Sequence, residues 1–138
     1  MKVKDIMSTQ VESVRPDASI QEAAQKMRSL DVGALPVLDG QDLKGMVTDR
    51  DITIRATAEG RDPKTTPVRE VLSPELVSIS EDQALEDAAR LMQEKQVRRL
   101  PVLSADQRLV GIVALADVAA EGGKKEVTRT VQEVSKPS

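Results

Sequence analysis

The chain has 138 residues and a formal net charge of −3, the size of one domain and without the basic face that nucleic acid or an anionic membrane requires. It contains no Cys, His, Phe, Tyr or Trp, which excludes disulfides, thiolate metal sites and thiol nucleophiles, removes the commonest general base and metal ligand, and leaves no ring on which a base could stack. The core must therefore come from Val, Ile, Leu, Met and Ala.

In chain order, Met-Lys-Val-Lys-Asp lacks the apolar stretch of a signal peptide, and no run approaches the roughly 20 apolar residues of a transmembrane helix; the cytoplasm is the default location. Val11-Glu12-Ser13-Val14 alternates as a short strand does. Ser19 to Glu22 fits a capping box, with each side chain serving the other's backbone. Ile20, Ala23, Ala24, Met27 and Leu30 then fall on one helical face. Ala34–Leu38 reads as a strand, and Pro36 within it implies an edge or a strand start. Asp39-Gly40 signals a turn, Gly45–Thr48 returns as a strand, and a helix runs from about Asp49 to Ala58. Arg61–Pro67 is turn-like, with Asp62-Pro63 and Thr66-Pro67.

The same order then recurs. Leu76-Val77-Ser78-Ile79 alternates. Leu85, Ala88, Ala89 and Met92 share a helical face, with Asp82 as its expected cap. Arg99–Leu103 is a strand, Ser104-Ala105-Asp106 a looser turn, Val110–Val113 a strand, and about Asp117–Glu121 a helix. The tail from Lys124 places Val127, Val131 and Val134 at helical spacing. Its alternatives are a short amphipathic helix or a frayed end.

The recurrence is a true repeat. At an offset of 65 residues, Ser8, Ser13, Asp17, Met27, Leu35, Pro36 and Val37 match Ser73, Ser78, Asp82, Met92, Leu100, Pro101 and Val102. One inserted residue then moves the offset to 66, where Gly45, Val47 and Asp51 match Gly111, Val113 and Asp117. A single repeat buries only about 60% of its chain surface and is marginal alone, so two repeats packed together are the expected unit. The expected division is repeat 1 over 1–60, a linker over 61–69, repeat 2 over 70–121 and a tail over 122–138.

The segment that carries chemistry is Gly45-Met46-Val47-Thr48-Asp49-Arg50-Asp51. A strand ends in a hydroxyl, and a helix begins with carboxylates. Free N–H groups and the dipole at a helix start favour a phosphate, Thr48 adds a hydroxyl, and Asp51 one turn on can accept from the diol of a ribose. Thr48 and Asp49 are equally ordinary N-cap residues.

With its repeat, the chain resembles the cystathionine-β-synthase (CBS) domain family. The resemblance rests on Val32–Leu38 followed by Gly45–Asp51, and on Val97–Leu103 followed by Gly111–Asp117, and it covers about 5–121. It implies an α+β fold of two β-α-β-β-α repeats packed with pseudo-twofold symmetry, a stand-alone pair or Bateman module. It further implies a regulatory sensor that binds AMP, ADP, ATP or S-adenosylmethionine in a cleft between repeats. A homodimer, a regulated partner protein of unknown identity, no obligatory cofactor, no metal and no catalysis belong to the same expectation.

Carried over residue by residue, the resemblance places Asp51 on ribose hydroxyls and Thr48 on a phosphate, with Gly33 and Ala34 beside the base. Leu72, Val77, Val97 and Arg98 close that first half-site. In the second half-site Asp117 takes the ribose, Arg98 and Arg99 the phosphates, and Met7, Glu12, Val32 and Gly33 complete it. Ala114 stands where Thr48 stands in the first copy, so one hydroxyl is lost. A charge-assisted contact is worth about 1.5–3 kcal/mol against about 1 for a neutral bond, so the two arginines offset that loss and the half-sites rank close together, Asp51 slightly ahead. Arg98-Arg99 as a solvated pair and Asp117 as a helix-start carboxylate are the plain alternatives.

Other readings differ in class. One is a ligand-free dimerisation or interaction scaffold. An enzyme would have to rely on Asp, Glu, Lys, Arg, Ser and Thr without any legible nucleophile–base pair, and a carboxylate–Mg²⁺ site has no dedicated cluster.

Overall fold

Ser19 opens the first long helix of the chain, α1 (Ile20–Leu30), in a computed structural model that describes residues 1–73 and 75–122. The Ser19 hydroxyl accepts from the Glu22 N–H at 3.1 Å; of the expected capping box only this half is formed. α1 packs Ile20, Ala23 and Met27 inward, whereas Ala24 and Leu30, expected on the same face, are exposed. The same unit holds a two-stranded antiparallel hairpin of β1 (Ala34–Asp39) and β2 (Asp42–Thr48). Gly40 at its turn takes φ +63°, a conformation that suits glycine. The strand expected at Val11–Val14 reduces to one parallel bridge between Val14 and Val37. α2 (Asp49–Ile52) follows β2 directly and continues as a π-helical stretch, Thr53–Thr57.

The second copy is built on a wider sheet. β3 (Ile79–Ser80), β4 (Arg99–Leu103) and β5 (Leu109–Ala114) lie in the order β3-β4-β5, the first pair parallel and the second antiparallel. Here α3 (Leu85–Lys95) buries its whole predicted face, Leu85, Ala88, Ala89 and Met92. Pro101 sits in the central strand rather than at an edge. Its missing N–H is tolerated because β3 pairs only with Val102 and Leu103. α4 (Leu115–Gly122) starts two residues ahead of the expected Asp117. The tail predicted from Lys124 lies outside the described residues.

Asp82 does not cap α3. The N-cap is Ala84, which has no side chain to offer, and the Leu85 N–H donates instead to the Met1 carbonyl at 3.0 Å. The Asp82 carboxylate takes Lys4 at 3.1 Å and Lys2 at 3.9 Å, and its hydrogen bond and charge raise the pKa of Lys4. The stabilisation from this exposed pair is present below the ordinary lysine range and is lost as pH rises past the Lys4 pKa; exposure keeps it small.

Sequence repeats and compact units do not coincide. The described residues cluster into a first unit between Glu12 and Leu76 and a second unit of Met1–Val11 together with the described residues from Val77. The expected bounds at 1–60 and 70–121 follow the sequence repeats, and the compact units exchange the opening segments of those repeats. The 3₁₀ turn Val3–Asp5 belongs to the second unit and its counterpart, Val68–Glu70, to the first. The two dock identically. Val3 N–H donates to Gln83 and Val68 N–H to Ala18, at 2.9 and 2.8 Å. Lys4 N–H reaches Glu81 and Arg69 N–H reaches Pro16, at 3.0 and 2.9 Å. Met1 caps α3 and Thr66 caps α1, each at 3.0 Å. Val3 is fully buried among Leu85, Met92, Leu100 and Val113, and Val68 among Ile20, Leu35 and Val47.

Candidate functional site

The hairpin of the first unit ends where α2 begins, and that junction gathers the predicted ribose-phosphate residues. Ala34 pairs with Thr48 across the strands. The Asp49 N–H donates to the Gly33 carbonyl at 2.9 Å, which ties the start of β1 to the start of α2. Asp49 folds its carboxylate over Gly33, with Oδ2 3.1 Å from where a Cβ would stand. Thr48 and Asp51 form the full capping box: Asp51 N–H donates to Thr48 Oγ1, and Thr48 N–H donates to Asp51 Oδ2, both at 3.0 Å.

Asp51 is the functional candidate that the fold buries, at 9% exposure. Its second oxygen, Oδ1, faces Arg55 Nε at 3.7 Å, beyond hydrogen-bond length. An ionised carboxylate has about four acceptor positions, so Oδ1 retains the capacity to take a diol. Arg55 in turn extends its Nη1 to the Leu72 carbonyl at 3.5 Å. Arg55 escaped the sequence reading, although its place one turn after Asp51 is a signal that helical spacing supplies.

One expectation is corrected. The helix start was read as offering free N–H groups to a phosphate. The N–H groups of Asp49, Arg50 and Asp51 are all committed, to Gly33 O, Asp49 Oδ1 and Thr48 Oγ1. What remains for a phosphate is the Thr48 hydroxyl proton and the exposed side chains of Arg50 and Arg55.

In the second unit the equivalent junction is differently furnished. Arg99 pairs with Ala114, and the Leu115 N–H donates to the Arg98 carbonyl at 2.8 Å. Arg98 and Arg99 are exposed, Leu115 is buried where its counterpart Asp49 is exposed, and Asp117 is exposed where Asp51 is buried. No capping hydroxyl exists at Ala114. Among the described residues no hydrogen bond or ion pair reaches the Asp117 carboxylate.

The remaining predicted residues divide by unit. Leu72 and Val32 are half-buried against the core of the first unit, and Met7, Val77 and Val97 against that of the second. Met7 is drawn into packing by Gly111, where its Sδ lies 2.7 Å from a built Cβ position. Glu12 is exposed and faces Lys26 at 3.8 Å. A separate polar cleft of about 550 Å³ opens in the first unit beside Asp17, Ser19, Lys64 and Arg69 and the Arg61–Glu70 ion pair; it contains none of the predicted site residues. Among the described residues no helix is long and apolar enough to cross a membrane, and no cluster of carboxylates could hold a metal ion.

The chain is similar to several known proteins. It is 56% identical over 117 residues to the CBS domain-containing protein YhcV of Bacillus subtilis, covering 85% of this chain and 82% of that one. The crystal structure of Hypoxic Response Protein I, with two coordinated zinc ions, is 40% identical with a TM-score of 0.81, covering 88% of this chain and 98% of that one. The structure of CBSX2 in complex with AMP is 29% identical with a TM-score of 0.72, covering 98% of each chain. The CBS domain profile matches twice, over residues 3–56 and 68–122. With an α+β structure in two copies and both family motifs placed at equivalent strand–helix junctions, the chain belongs to the CBS domain family as a protein of two CBS repeats.

Proposed function

We propose that the protein is a regulatory module that binds an adenosine nucleotide and passes its occupancy to a partner protein. The observation that carries this reading is the Thr48–Asp51 junction: a buried carboxylate with one oxygen still open, next to a hydroxyl and two cations, at the end of a hairpin. Such a set suits a ribose diol with a phosphate attached. The AMP in the CBSX2 structure supports the same ligand class; AMP, ADP, ATP and S-adenosylmethionine share the diol. Zinc, seen with Hypoxic Response Protein I, is not carried over, because this sequence has no His or Cys and, among the described residues, no group of carboxylates placed to hold a metal ion. The reading includes a cytoplasmic homodimer, no obligatory cofactor and no chemical step.

Without aromatic rings, the adenine is gripped by aliphatic side chains and backbone groups, which suits micromolar affinity, about −8 kcal/mol. Calorimetric titration with adenosine, AMP, ADP, ATP and S-adenosylmethionine tests this, with saturable binding of at least one expected. The composition gives a second readout: with no Trp, Tyr or Cys, an absorbance band of the purified, nucleic-acid-free protein in the nucleotide region reports co-purified ligand. No binding up to millimolar concentration rejects the sensor reading. The competing reading, a ligand-free scaffold, is favoured by one observation, that Asp51 already serves a capping box, and it predicts that outcome.

A further inference from the structure

Beyond the family motif, the two junctions differ in charge at one position a helical turn after the carboxylate. Arg55 stands one helical turn after Asp51. At the offset of 66 that relates Asp51 to Asp117, its counterpart is Glu121. The buried carboxylate of the first unit therefore has a cation at i+4, with Nε 3.7 Å from Oδ1. The exposed carboxylate of the second unit has a like charge at i+4, itself exposed. Opposite charges at this spacing support each other and like charges repel.

We infer that Arg55 is a positioning residue for Asp51, and that ribose recognition is confined to the first unit. The inference rests on the nucleotide reading above and deepens it.

Two groups hold the carboxylate. Oδ2 is fixed by the Thr48 N–H. Arg55 lies opposite Oδ1, near enough to attract the carboxylate and too far to occupy it with a hydrogen bond. The guanidinium is steadied from its other side by the Leu72 carbonyl at 3.5 Å, so it spans from the helix to the segment that follows the Val68–Glu70 turn. An ionised carboxylate only accepts, which is what two ribose hydroxyls require. In the second unit Ala114 removes the cap, Glu121 replaces the cation, and Asp117 faces water. A diol there would have to displace solvent from an unrestrained side chain, and the cost of ordering it falls on binding.

The test is titration of the full chain with adenosine and with AMP, for the unaltered protein and for Arg55→Gln, Arg55→Lys and Asp117→Asn. Adenosine carries no phosphate, so direct attraction to the guanidinium is absent. One site per chain is expected. Arg55→Gln should weaken adenosine roughly tenfold, Arg55→Lys should recover most of that loss, and Asp117→Asn should bind as the unaltered chain does. Thermal melting of each variant shows that the fold is kept. Full adenosine affinity in Arg55→Gln, or no recovery in Arg55→Lys, overturns the positioning role. Two sites per chain, or a loss in Asp117→Asn, overturns the confinement while leaving the nucleotide reading intact. Absence of binding to the unaltered chain overturns both.

Discussion

Removal of Met1–Met7 is expected to unfold the second unit. Val3 is fully buried in its core, and burying one such side chain is worth about 1.5–3 kcal/mol. Ile6 and Met7 pack against the same core. The deletion also takes the backbone bonds to Gln83, Glu81 and Leu85, each worth about 1 kcal/mol net. The combined loss is comparable with the whole stability of a small domain, about 5–15 kcal/mol. Amide hydrogen exchange is the measurement: protection of α3, β4 and β5 should collapse. A milder version separates the units. Val3→Ala should cost about 2 kcal/mol in the second unit, and Val68→Ala a similar amount in the first. Protection of α3 that survives the deletion would show that the N-terminal segment is an ornament of the core rather than a part of it.

The second large effect concerns Gly111. A Cβ built there meets the Ser8 carbonyl at 2.8 Å and Met7 Sδ at 2.7 Å. Real Cβ atoms do not approach a carbonyl so closely, so β5 or the N-terminal segment must move, and the Ser8–Ile112 bridge lies next to the clash. Gly111→Ala should therefore cost about 1–3 kcal/mol, the range for overpacking, with the midpoint of urea unfolding as the readout. The sulfur alone could swing aside, because methionine is adaptable; the backbone carbonyl cannot. Met7→Ala in the Gly111→Ala background should recover only part of the loss. A variant with an unchanged midpoint would contradict the docking of Met7 and Ser8 on β5.

The two predictions bear on how much of this molecule its sequence discloses. The hairpins, the long helices and the Thr48–Asp51 strand–helix junction were legible, because each rests on local signals: alternation, a helical stripe, an Asp-Gly turn, a hydroxyl three residues before a carboxylate. The exchange of opening segments was not. Val3 and Val68 are short apolar residues in 3₁₀ turns with no period to betray them, and their partners lie some 80 residues away in one case and 50 in the other, as the bonds to Gln83 and Ala18 show. Ala24 and Leu30 were misplaced because a helical stripe does not disclose how much of it tertiary neighbours cover. Asp82 was a reasonable cap by type, yet the Met1 carbonyl reached the helix first and left Asp82 to the lysines. At the site, residue types suggested two half-sites of nearly equal rank. The difference between them is one of environment: a buried, capped Asp51 beside Arg55 against an exposed Asp117 whose i+4 neighbour is Glu121. Burial is a tertiary property and cannot be read from a motif, whereas Arg55 and Glu121 could have been found by extending each motif one helical turn.

The central claim is that the junction of β2 and α2 reads an adenosine nucleotide. Nuclear magnetic resonance of the ¹⁵N-labelled chain, titrated with AMP, tests it at the level of single residues. The amides of Gly33, Ala34, Thr48 and Asp49 should move first and furthest, saturating together, because they frame the carboxylate and hydroxyl proposed to hold the ribose phosphate. Shifts confined to Arg98, Arg99 and Ala114–Asp117, or to the polar cleft beside Lys64 and Arg69, with the four junction amides unmoved, would contradict the account.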